Sequence, residues 1–124
     1  MRALVVDDSR AIRMIVGRAL KKLGWEVVEA CHGAEALERL DDNEIDLAMV
    51  DWNMPVMNGI DFVEAVRKEN KHDAMRVVMV TTESGPEQMI RALQAGANEY
   101  IMKPFTDEVL RAKLTILGLA GSTC

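Results

Sequence analysis

The sequence predicts an α/β fold: a five-stranded parallel sheet flanked by five helices. Three observations carry the prediction. Short apolar runs recur along the chain, helical patterns with three- and four-residue spacing lie between them, and no linker, repeat or low-complexity stretch breaks the alternation. The runs are Ala3-Leu4-Val5-Val6, Val27-Val28, Leu47-Ala48-Met49-Val50, Val77-Val78-Met79-Val80 and Tyr100-Ile101-Met102. They are continuous rather than alternating, as strands buried on both faces of a parallel sheet require. In the first helical segment Ile12, Ile15, Val16, Ala19, Leu20 and Leu23 form one stripe that packs on the sheet. Gly24 and Gly96 stand where a left-handed residue stops a helix, Pro86 suits the first turn of a fourth helix running to about Ala95, and Thr106 suits the N-cap of the last. The βαβαβαβαβα order implies right-handed crossovers, hence helices on both faces.

The 124 residues, 49% of them hydrophobic, supply one core and no second domain. Residues 1–120 are read as that domain and 121–124 as a short C-terminal tail. A formal net charge of −5, with Lys and Arg scattered, argues against a nucleic-acid surface built on counterion release. No signal-peptide core is seen, and no segment approaches the roughly 20 apolar residues that span a bilayer. The expectation is a cytoplasmic protein with no membrane partner and no obligate dimer. Cys31 and Cys124 are read as free thiols, His32 and His72 as solvated loop histidines, and the nine methionines as mostly core filling.

In parallel sheets of this kind ligands bind beyond the carboxyl ends of the strands, where strand order reverses. Asp7-Asp8 follow the first strand, Asp51 the third, Thr81 closes the fourth and Lys103-Pro104 the fifth. The second strand ends in Ala30-Cys31-His32, with no matching acid, hydroxyl or lysine. The flavodoxin-like order 2-1-3-4-5 puts that strand outermost, away from the site. Three gathered carboxylates repel: at about 4 Å and an effective dielectric of about 20, each pair costs roughly 4 kcal/mol. Lys103 brings one positive charge, so a divalent ion is called for, and oxygen-only ligands with room for water and phosphate suit Mg²⁺. A carboxylate in such a place is a nucleophile for phosphoryl transfer, with charge neutralisation from the ion and Lys103 and a hydroxyl donor from Thr81.

Val5-Val6-Asp7-Asp8, Asp51-Trp52-Asn53-Met54-Pro55 with Asn58-Gly59, Val80-Thr81-Thr82-Glu83, Gln94-Ala95-Gly96-Ala97 and Lys103-Pro104-Phe105 occur in order along the whole chain. Together they resemble the receiver domains of bacterial two-component systems, most closely the stand-alone chemotaxis type. That family has the 2-1-3-4-5 order, so the topology rests partly on the resemblance. The resemblance implies Asp51 as phosphoacceptor, Asp8 and Asp51 as Mg²⁺ ligands with the Asn53 backbone carbonyl, and Asp7 as a ligand through water. It places Thr81 and Lys103 on the phosphoryl oxygens and Pro104 in shaping the lysine loop. The donor would be a phosphohistidine on a sensor histidine kinase or a small acyl phosphate. Met89, Tyr100, Met102 and Lys113 become the candidates for a switch and partner surface, with Tyr100 at the position of the family's switch aromatic. The downstream target would be a motor switch or a histidine phosphotransfer protein, with a phosphatase as a further partner. The chain would then be a signalling protein whose only catalysis is its own phosphorylation and dephosphorylation.

Two positions depart from the family pattern. Thr82 is larger than the small residue common after the switch hydroxyl, and Pro86 replaces a lysine of the enteric chemotaxis type. Asn53 and Glu83 match that type at two positions that tune the lifetime of the phosphate. A phosphorelay intermediate and a phosphate sink share the same acidic site and remain open alternatives. A haloacid-dehalogenase-type phosphatase would need a second acid where Asn53 stands, and a nucleotide binder would need a glycine-rich loop where Asp7-Asp8 stand.

Overall fold

The computed structural model describes residues 1–52, 54, 57–68, 72, 74–81, 86–103 and 105–119. Ten elements alternate: β1 (Arg2–Val6), α1 (Arg10–Lys22), β2 (Glu26–Ala30), α2 (Gly33–Asp42), β3 (Leu47–Asp51), α3 (Gly59–Lys68), β4 (Arg76–Thr81), α4 (Pro86–Ala95), β5 (Glu99–Met102) and α5 (Asp107–Ile116). All strand pairs are parallel, and the sheet order is β2-β1-β3-β4-β5, as expected. Strand side chains alternate between two cores. Leu4, Val6, Ala48, Val50, Val77 and Met79 pack with α2, α3 and α4, while Ala3, Val5, Leu47, Met49, Val78 and Val80 pack with α1 and α5. Burying both faces explains the continuous apolar runs.

The helix ends follow from local chemistry. Gly24 and Gly96 have φ of 92° and 115°, and each closes its helix with a paired set of bonds. After α1 these are Gly24 N–H to Lys21 O and Trp25 N–H to Leu20 O; after α4, Gly96 N–H to Leu93 O and Ala97 N–H to Ala92 O. Thr106 Oγ1 accepts from Val109 N–H, so the expected N-cap of α5 is in place.

Four expectations are corrected. The α1 stripe packs on the sheet through Ile12, Val16, Ala19, Leu20 and Leu23, but Ile15, at the edge of that stripe beside Met14, turns to solvent and is 60% exposed. The β2 strand is not buried on both faces: as the outer strand it has one side without a neighbour, and Glu26 and Glu29 are exposed. His32 is no solvated loop residue. Its Nδ1 accepts from Glu35 N–H, capping α2, and the Glu35 carboxylate accepts from Cys31 N–H at 2.7 Å. Met54, Met49, Met75 and Met79 fill the core, but Met14 joins Met1, Met89 and Met102 at the surface, because it lies on the face of α1 turned from the sheet. Cys31 is a free thiol, and Cys124 lies outside the described residues.

Arg67, near the end of α3, ties together the segments that lead into β4 and β5. Its guanidinium donates to the carbonyls of Gly96 (3.0 Å), His72 (2.9 Å) and Met75 (2.8 Å) and to Asn98 Oδ1 (2.8 Å). Asn98 Oδ1 also accepts from Val77 N–H, and Asn98 N–H donates to Val77 O, so the entry to β5 is stitched to β4.

Candidate functional site

Because the strands run in register, their carboxyl ends come out at one level: Val6 is opposite Val50, Asp51 opposite Val80 and Thr81 opposite Met102. The residues that follow therefore converge. Among the described residues the buried polar or charged ones are Asp7, Asp51 and Thr81, at 3%, 4% and 0% exposure. All three stand at this edge. Asp8 is exposed, and the carboxylate oxygens of Asp7, Asp8 and Asp51 lie within 4.8 Å of one another. Lys103 reaches in from the end of β5, with Nζ 2.9 Å from Asp51 Oδ1 and 3.5 Å from Asp7 Oδ2. Its N–H donates to Thr81 O, which fixes the lysine beside the threonine.

The local sequence holds these groups in place. Ser9 caps α1 by accepting from Ile12 N–H, and its own N–H donates to Asp7 Oδ1 at 2.9 Å, so Asp7 precedes the cap and is not a helix-start acid. Asn58 Oδ1 accepts from Asp61 N–H at the start of α3. Next to it, Gly59 lies against the backbone of the phosphoacceptor candidate. A Cβ there would run into the Asp51 carbonyl oxygen and the Met79 methyl, so only glycine lets α3 begin this close.

Burial pushes the Asp7 carboxyl above its ordinary 3.8; the Ser9 N–H pulls it back, and the Asp51 charge adds to the rise. Burial alone would lower the Lys103 ammonium, but its hydrogen bond to Asp51 and the charges of Asp51 and Asp7 outweigh that and raise it above 10.5. Lys103 is therefore held charged. One ammonium does not balance three carboxylates. An oxygen-only cluster with one exposed member, Asp8, leaves a side open to water and ligand, and this donor set fits a hard divalent cation.

Asp7, Asp8, Asp51, Thr81 and Lys103 are thus brought together as expected. Asn53, Thr82, Glu83 and Pro104 lie outside the described residues. Trp52 is partly exposed and lines a cavity of about 470 Å³ with Glu87, Gln88, Ile90, Arg91 and Gln94, which places an indole between the site and α4. Met89 and Met102 are exposed, and Lys113 pairs with Glu99 at 3.3 Å. Tyr100, by contrast, is 5% exposed and packs in the core under α4, so it supports that face from beneath. The capping roles of Ser9 and His32 escaped sequence reading, although a serine directly before an apolar helical stripe is a usable signal.

The chain matches the response regulator receiver domain over residues 3–115. It is 49% identical to the chemotaxis protein CheY1 of Helicobacter pylori (strain J99) over 119 residues, covering 94% of this chain and 96% of that one. It is 50% identical to the chemotaxis protein CheY homolog of Campylobacter jejuni over 116 residues, covering 92% and 89%. The solved structure of the chemotaxis response regulator CheY4 of Vibrio cholerae superposes with a TM-score of 0.88 at 38% identity, covering 94% of this chain and 97% of that one. Fold, site and similarity agree, and the chain belongs to the response regulator receiver domain family.

Proposed function

We propose that this chain accepts a phosphoryl group on Asp51 and thereby switches the surface of α4, β5 and α5, acting as a single-domain response regulator in chemotaxis. The observation that carries the reading is the contact of Lys103 Nζ with Asp51 Oδ1 at 2.9 Å inside a cluster of three carboxylates. The chemotaxis assignment is supported by relatives that bear that name at 43–50% identity.

Asp8, Asp51 and the Asn53 carbonyl would hold Mg²⁺ directly and Asp7 through water. Bound there, Mg²⁺ would supply charge neutralisation on the transferring phosphoryl oxygens. The chain's residues do the rest. An Asp51 carboxylate oxygen attacks phosphorus in a sensor kinase's phosphohistidine or in a small acyl phosphate. The new O–P bond forms as the bond to the donor breaks, and the donor leaves as imidazole, taking a proton from solvent, or as a carboxylate. The Lys103 ammonium, already charged, follows the new phosphoryl oxygens, and the Thr81 hydroxyl donates to them from the end of β4. Hydrolysis of the acyl phosphate resets the protein, which makes no other product.

The partner surface is supported by six exposed large apolar side chains on the elements around β5: Met89, Ile90, Leu93, Met102, Val109 and Ile116. Both α4 and α5 pack on β5, so a bias applied at Thr81 or Tyr100 reaches this face through direct contacts. We place the protein in the cytoplasm as a monomer, with residues 1–120 as its receiver domain. Its partners are a sensor histidine kinase, a downstream target such as a motor switch protein, and a phosphatase. No helix among the described residues is long and apolar enough to cross a membrane.

Tryptophan fluorescence tests the proposal. Trp25 is buried, so Trp52 carries the response. Mg²⁺ followed by beryllium fluoride should give a saturable change in the native chain, and the beryllium fluoride step should vanish in Asp51→Asn. An unchanged Asp51→Asn response, or no Mg²⁺ response in a folded native chain, overturns the reading.

A further inference from the structure

Asp7 is fixed through every polar atom it has. Its N–H donates to Ala30 O, Oδ1 accepts from Ser9 N–H, Oδ2 faces Lys103, and its backbone carbonyl accepts from Arg13 Nη1 at 2.6 Å. The last contact has no role in the chemistry above. The Asp7 carbonyl oxygen and the Asp8 Cα belong to one planar peptide unit. A guanidinium that fixes this oxygen fixes the plane, and with it the points from which both the Asp7 and Asp8 side chains depart.

Arg13 is itself held. Its side chain is 15% exposed, and its Nε donates to Glu29 Oε1 at 3.1 Å on the outer strand β2. Helix-end electrostatics do not account for it. A cation one turn into a helix faces the positive end of the helix dipole, and α1 has no acid in its first turn to offset this. Helical side chains lean toward the N-terminus, which is how Arg13 reaches back over the cap to the strand end.

We infer that Arg13, oriented by Glu29, is a positioning residue that sets the Asp7-Asp8 peptide plane and so tunes the cation site for Mg²⁺ over larger ions. This rests on the phosphoacceptor reading. Mg²⁺ needs near-ideal octahedral geometry, whereas Ca²⁺ accepts irregular oxygen cages, so a loosened peptide plane penalises Mg²⁺ more.

The test is a titration of native chain, Arg13→Met, Arg13→Lys and Glu29→Gln with Mg²⁺ alone and Ca²⁺ alone, read by Trp52 fluorescence, with circular dichroism to confirm folding. Arg13→Met should weaken Mg²⁺ binding about tenfold and Ca²⁺ binding far less. Arg13→Lys, which keeps the charge and one donor, should recover part of the loss, and Glu29→Gln should lose less than Arg13→Met. If Arg13→Met does not fold, Arg13→Lys carries the test, with a lowered Mg²⁺/Ca²⁺ preference expected. An unchanged preference in folded variants, or equal losses for both ions, overturns the role of Arg13 while leaving the phosphoacceptor reading intact. A native chain that binds neither ion overturns both.

Discussion

Carboxylates gather at both ends of the sheet, under opposite conditions. Where the strands begin, Asp41, Asp42, Glu44 and Asp46 crowd the turn from α2 into β3, all exposed to water that screens them. Where the strands finish, Asp7 and Asp51 are buried beside Asp8, and Lys103 is set between them. The number of acids is similar, so number does not make the site. Burial raises the cost of each charge, so a cation placed among these acids would relieve more than one placed among the exposed ones.

The largest test of this contrast is Lys103→Met. Removing the ammonium leaves two buried carboxylates without their cation, which should destabilise the metal-free protein by about 3 kcal/mol in urea unfolding. Mg²⁺ should restore part of that loss, and a loss unaffected by Mg²⁺ would place the ion elsewhere. Asp51→Asn works in the other direction. With one repelling charge gone, the protein in EDTA should gain about 1 kcal/mol even as it loses its response to beryllium fluoride. A less stable variant would mean that the Lys103 contact outweighs the repulsion.

Glu35 of α2 lies between the two extremes, partly exposed yet bonded to Cys31 N–H. That bond holds its carboxyl below the ordinary 4.5, with smaller help from Arg39 and His32. A lowered folded-state value means stability that is present above about 4.5 and lost as pH falls through the depressed value. Glu35→Gln should therefore cost about 1 kcal/mol at pH 7, and the gap between variant and native chain should close as the pH falls below 4.5 and the carboxyl protonates. Asp46→Asn at the opposite end of the sheet should change stability by no more than about 0.5 kcal/mol and leave Mg²⁺ binding unaltered. An Asp46 effect as large as that of Lys103 would erase the distinction between the two ends.

Much of this arrangement was legible in the sequence, for identifiable reasons. Strands β1, β3 and β4 are buried on both faces, so their apolar runs are unbroken, and each ends on or just before a residue whose chemistry marks it: Asp7, Asp51 and Thr81. The stops at Gly24 and Gly96 were legible because a positive φ selects glycine. The β2 strand was less so: an outer strand exchanges apolar side chains for Glu26 and Glu29, and only Val27-Val28 stood out. His32 escaped because histidine is an uncommon cap, and its role depends on the reciprocal bond from Cys31 to Glu35. Arg13 escaped for a different reason. Its partner is a backbone oxygen, which leaves no mark on residue type, and its reach toward Asp7 exists only once the helix has formed.

The knot at Arg67 has a mechanical consequence. By binding Gly96 O while holding the carbonyls of His72 and Met75, it moors the C-terminal end of α4 to the body of the protein. A rod moored at one end answers a push at the other by pivoting. A push on α4 would then displace Met89, which lies farther from Gly96 along the helix, more than Leu93. The anchor of α4 therefore stands at the end of the sheet opposite the carboxylates, where β4 and β5 begin.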